Sequence, residues 1–192
     1  MSKLEQVLRG MKLVQAKCAK KSVRLLITPQ HFIKLKKVWL SEGRSFDGMM
    51  LWAAASLCFF SFMHSAELTI PSDSQYDESA HLSFIDVSVD SLCNPQVLKL
   101  QLKASKTDPF RQGIDTFVGR TGNELCPVTA VLSYMMQRGP APGPFFKFKS
   151  GTPLTWARFV TNVKEALSRA RVDPSGYSGH SFRAGAATTA AR

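Results

Sequence analysis

An α+β fold, mostly helical with one small three-stranded antiparallel sheet, is what this 192-residue sequence predicts. Three observations carry the prediction. Apolar residues recur every three or four positions over most of the chain. That spacing drops to two between about residues 83 and 119, and capping residues stand where the helical stretches should begin and end.

The elements follow in order. Residues 1–17 read as a helix with Leu4, Val7, Leu8 and Met11 on one stripe. Thr28-Pro29 opens the next, because threonine caps a helix and proline fits its first turn. It carries Phe32, Ile33, Leu35, Val38 and Trp39 and should end near Gly43. Asp47 is expected to cap a third helix running from Gly48 to about Met63. That helix is apolar nearly all round, which places it in the middle of the core, with Trp52 and Phe59 to Phe62 as packing residues. The run from Met49 to Met63 spans only 15 residues and contains two serines, too short to cross a bilayer comfortably.

Strands come next. Ile85, Val87 and Val89 alternate with Asp86 and Ser88, and Leu98, Leu100 and Leu102 alternate with Lys99, Gln101 and Lys103. A third strand fits Ile114–Val118, after the turn Ser105-Lys106-Thr107-Asp108-Pro109. Cys126-Pro127 starts a helix that Gly139 stops, and Thr155 caps another whose face is Phe159, Val160, Val163, Leu167 and Ala170. The last helix begins near Ser178 or Gly179, and its Gly185, Ala186 and Ala187 let it pack closely on a neighbour.

Charge narrows the function. The net charge is +11, and residues 1–44 hold 11 Lys/Arg against two acids, while residues 45–192 hold 14 against 12. A basic arm that includes Lys12, Lys17, Lys20, Lys21 and Arg24 favours a polyanionic partner, nucleic acid ahead of a membrane surface. A merely solvated face is the alternative. Cys18, Cys58, Cys93 and Cys126 are widely separated with no C-x-x-C pair, so they read as reduced packing thiols and not as a zinc site or disulfide framework. No secretory signal pattern is visible, and the protein is expected to be intracellular. His31 and His81 have no evident partner and are expected to be exposed.

The residues suited to chemistry are few. In Gly179-His180-Ser181-Phe182-Arg183, helical spacing puts His180 and Arg183 on one face. Arginine brings a planar fork that suits two phosphate oxygens, and histidine can donate a hydrogen bond or move a proton. A capping histidine beside a surface arginine is the plainer reading. Lys106 lies in a strand–strand turn, from which it can reach a departing oxygen or remain solvated. A third piece, Ser61-Phe62-Met63-His64-Ser65-Ala66-Glu67-Leu68-Thr69, closes the apolar helix; Glu67 there suits fixing a turn more than acid–base work.

Taken in order, the apolar helix entering Ser65-Ala66-Glu67-Leu68-Thr69, the hairpin lysine, and Tyr177-Ser178-Gly179-His180-Ser181-Phe182-Arg183 resemble the tyrosine recombinases, the phage-integrase family. The phrases Lys106 to Gly113, Glu124 to Val128 and Gly179 to Thr189 are most similar to recombinases of eukaryotic mobile elements, and the likeness spans roughly residues 25–192. The resemblance implies a DNA breaking-rejoining catalytic fold over 25–192, preceded at 1–24 by the tail of a helical DNA-clamping domain and a basic linker. It implies double-stranded DNA as partner, a nuclear setting, possible oligomers on DNA in a full-length form, and phosphoryl transfer without metal or cofactor. In such enzymes a tyrosine attacks a backbone phosphate, giving a 3′-phosphotyrosyl link and a free 5′-hydroxyl. By this correspondence Lys106 is the hairpin lysine that protonates the departing oxygen, His180 the assisting histidine and Arg183 the second arginine.

Two departures shape the expectation. His64 stands where the resemblance places the first arginine, and an imidazole cannot form the bidentate clamp; a lost donor of that kind costs roughly 10²–10³ in rate. The nucleophilic tyrosine belongs beyond Arg192, so the catalytic domain is read as incomplete at its C-terminus and without a nucleophile, a loss of about 10⁶ in covalent enzymes. The expectation is a DNA-binding, recombinase-like domain that is inactive alone. The alternatives are an active recombinase completed by a longer product or a partner chain, and a non-catalytic protein-interaction module.

Overall fold

In the computed structural model, which describes residues 25–41, 43–103 and 113–191, Thr28 starts the first helix by accepting a hydrogen bond from His31 N at 3.3 Å. Helix α1 runs over Pro29–Leu40, a little short of the expected Gly43. Helix α2 spans Phe46–Phe60 and is capped by Ser45, whose Oγ accepts from Gly48 N at 3.1 Å. Asp47 is therefore not the cap. It lies in the first turn, and its carboxylate accepts from Lys149 N at 2.7 Å, tying α2 to a loop far along the chain.

Helix α2 is the centre of the molecule, as its all-round apolarity predicts. Every residue from Gly48 to Phe59 is buried, and α1, α4 (Pro127–Arg138) and α6 (His180–Ala190) pack around it. Phe32 of α1 stacks on Phe59 at 4.8 Å and meets Trp52 at 4.5 Å between ring centroids. Each such ring contributes roughly 1.5–3 kcal/mol by leaving water. The helix stops at Phe60, three residues before the expected end. Phe62 takes a left-handed conformation (φ 56°) and is 44% exposed, so it leaves the core and turns the chain toward α3, Ser65–Leu68.

The sheet has the order β1-β2-β3, built from Val87–Val89, Val97–Leu102 and Ile114–Gly119, all antiparallel. Leu98, Leu100 and Leu102 point inward as their alternation predicts. The first strand is shorter than expected. Phe84–Asp86 forms a 3₁₀ turn in which Ile85 is 80% exposed and Asp86 only 5%, the reverse of the predicted facing. The buried carboxylate is satisfied by Ser83 N at 2.8 Å, Ser83 Oγ at 2.6 Å and the Lys103 ammonium at 2.7 Å. Those partners outweigh the apolar gain from turning Ile85 inward.

Helix α4 starts at Pro127 and stops at Gly139, and α5 (Trp156–Arg169) starts from Thr155, all as the caps predict. His31 and His81 are half-buried and partnered, contrary to expectation: His31 meets the Tyr177 ring edge-on, and His81 Nδ1 accepts from Asp77 N at 3.0 Å. Cys58 and Cys126 are buried as packing thiols, while Cys93 is exposed. Among the described residues no helix is long and apolar enough to cross a membrane, and no cluster of three metal-ligating side chains occurs.

Candidate functional site

The end of α2 and the start of α6 come together to build the site. After the turn at Phe62, buried Met63 anchors the chain, and His64 caps α3 with its backbone N donating to Glu67 Oε2 at 2.9 Å. Glu67 thus fixes the turn, as its place in the sequence suggests. Opposite, Ser178 N donates to Ser181 Oγ at 2.9 Å, and α6 begins at His180. Gly179 lies against Ser65 and the Trp156 indole nitrogen, and a Cβ there would overlap the serine hydroxyl. Nearly two turns on, a Cβ at Gly185 would overlap the Ile27 carbonyl oxygen. The missing side chains are what allow α6 to lie so close to its neighbours, and Ile27 N donates to Ser181 O at 3.0 Å across the same contact.

His180 and Arg183 project from α6 on one face, both exposed, toward His64. The His64 and His180 rings stand edge to face, 5.5 Å between centroids at 75°. Arg183 Nη1 hydrogen-bonds His64 Nε2. A guanidinium only donates, so Nε2 accepts and carries no proton while this contact stands. The three side chains border an open cavity of about 360 Å³, with Leu25, Leu26 and Ala187 as its apolar wall. None of the described residues lining it is acidic. Guanidinium, two imidazoles and the positive end of an 11-residue helix converge on one space, an arrangement suited to an anion.

All three tyrosines are accounted for elsewhere. Tyr134 is fully buried, donates to Phe145 O at 2.9 Å, and burial pushes its hydroxyl up to about 12. Tyr177 is buried with its hydroxyl facing His31, and burial, then Asp173, raises its pKa. Tyr76 is raised by burial and by Glu78 and Asp86 nearby. None lines the cavity, and none is activated.

Of the predicted site residues, the structure brings His64, His180 and Arg183 together. Lys106 and the basic arm (Lys12, Lys17, Lys20, Lys21, Arg24) lie outside the described residues. Lys103, just after β2, is held by Asp86 and by Glu78 O at 2.8 Å. Sequence reasoning missed this anchor and the Gly179–Ser65–Trp156 contact. Both join residues distant in sequence that no local pattern relates.

A central apolar helix with helices packed around it and a three-stranded antiparallel sheet form the fold of the tyrosine-recombinase catalytic domain. Solved structures with this fold include XerA recombinase, with a TM-score of 0.60 at 14% identity over 100% of this chain and 62% of that one. XerH site-specific recombinase bound to its difH substrate gives 0.58 at 12%, over 88% and 43%. FLP recombinase in a Holliday-junction complex gives 0.51 at 10%, over 100% and 49%. At such identities the likeness is one of fold, and the chain spans 43% to 62% of the length of these three proteins. No family model matches the sequence, and the comparison with curated proteins found no match.

Proposed function

We propose that the chain is a recombinase-like DNA-recombination domain that binds the backbone of double-stranded DNA and presents one phosphate to His64, His180 and Arg183. The observation that carries this reading is their convergence, from segments 119 residues apart, on one cavity with no acid among its described lining residues. Arg183 supplies the fork for the non-bridging oxygens, His180 a hydrogen bond, and Lys106, by its correspondence to the hairpin lysine, a further point charge for the phosphate. The basic arm adds backbone contacts that carry no base information. The structural neighbours support the reading, since XerH and FLP are seen with DNA.

The three tyrosines present, being buried or turned elsewhere, support binding without strand cleavage by this polypeptide alone. Two assays test the proposal. Duplex binding should weaken steeply with salt as phosphate neutralisation releases counterions. A nicked suicide substrate should give no covalent protein–DNA adduct with this polypeptide alone. Absence of duplex binding at low salt contradicts the first part, and an adduct contradicts the second.

The intact His180–Arg183 geometry also favours a second reading, an active recombinase completed by a tyrosine from another chain. An adduct that appears only on mixing with such a chain would select it.

A further inference from the structure

The contact between Arg183 and His64 has a consequence of its own. Arg183 is exposed, yet the acceptor of its guanidinium is an imidazole nitrogen that must be unprotonated to serve. Around His64 stand His180 with its ring 5.5 Å away, the Arg183 guanidinium, and Glu67, whose carboxylate binds the backbone N of His64. Among the described residues of the neighbouring segment, Leu25 and Leu26 line the cavity with apolar side chains. Without a ligand, a proton on His64 would place a second cation against Arg183 and break the hydrogen bond. With an anion in the cavity, the same proton turns His64 into a further donor to that anion.

Resting on the phosphate reading above, we propose that His64 is a proton-controlled latch: neutral, it holds Arg183 against α3; protonated, it releases the guanidinium, and both groups bind one DNA phosphate. Phosphate binding and proton uptake at His64 are then coupled, and each favours the other. A permanent cation at position 64 would lack this control.

The test uses the full chain and a short duplex at constant ionic strength, since a phosphodiester keeps its charge while imidazoles titrate. From about pH 8 to about pH 5.5 the wild type should gain about tenfold more affinity than His64→Gln, a comparison in which every other titratable group is common to both proteins. His64→Arg should bind tightly at both ends. In the free protein, nitrogen NMR should find His64 Nε2 unprotonated above about pH 7.5, with the Arg183 Nη signals shifting as His64 takes up its proton. Equal pH dependence in wild type and His64→Gln, with binding retained, overturns the latch and leaves the phosphate reading standing. Failure to bind duplex at any pH and low salt overturns the phosphate reading. Arg183 signals unmoved through the His64 titration overturn the latch whatever the DNA does.

Discussion

Arg138 and Arg183 are the same side chain put to opposite uses. Arg138, at the end of α4, is 6% exposed and donates to five carbonyls: Phe145 at 2.8 Å, Gly139 and Ala141 at 2.7 Å, Pro144 at 2.9 Å and Gly143 at 3.3 Å. Its fork is saturated by the loop it holds, and the Phe84 ring lies 5.3 Å from its charge. Burial lowers its pKa, with Tyr134 and Tyr76 acting the other way. Arg183 is exposed and hydrogen-bonds one imidazole nitrogen, which leaves donors turned toward an open cavity. A fully satisfied arginine fixes structure, and a partly satisfied one beside a cavity is ready for a ligand.

Removing each arginine in turn separates the two uses. Arg138→Met should destabilise the fold by roughly 3–5 kcal/mol, because it strands several buried carbonyls. Chemical denaturation checks this, and a change below about 1 kcal/mol would mean water replaces the guanidinium. Gly185→Ala should cost about 2 kcal/mol by pushing α6 off the Ile27 carbonyl. The same variant should weaken duplex binding, since α6 carries His180 and Arg183. Arg183→Ala should leave stability within about 0.5 kcal/mol while lowering duplex affinity about tenfold. Thiol labelling gives the finest contrast. Exposed Cys93 should react at once, and Cys58, whose thiol burial raises, only after unfolding. Cys126 lies between: it is buried but borders a surface pocket with Thr129 and Ser133, and hydrogen bonds from Thr129, Thr121 and Val128 outweigh the effect of burial and bring its pKa to about 7. Its labelling rate should therefore rise with pH through about 7 and then level off.

Much of the fold was legible because its signals are local. Thr28, Thr155, Pro127 and Gly139 mark helix ends, and the leucines of β2 mark a half-buried strand. Ser45 and Asp47 are both good caps, and only the tertiary bond from Lys149 N to Asp47 decides between them. The facing of Ile85 and Asp86 was misread because the lysine that satisfies the buried carboxylate arrives from another strand. At the site, the His-x-x-Arg spacing foretold a shared face, whereas the His64–Arg183 contact joins groups 119 positions apart. Local pattern reports what a segment prefers, and long-range polar pairing decides among its preferences.

The proposed function stands on contact between Arg183 and a DNA phosphate. The most direct measurement is the salt dependence of duplex binding for the wild type and Arg183→Ala. If the claim holds, affinity falls and the slope of log affinity against log salt shrinks by about one unit. An unchanged affinity and slope, with binding abolished only by removing residues 1–24, would assign the DNA contact to the basic arm and leave the cavity without a role in it.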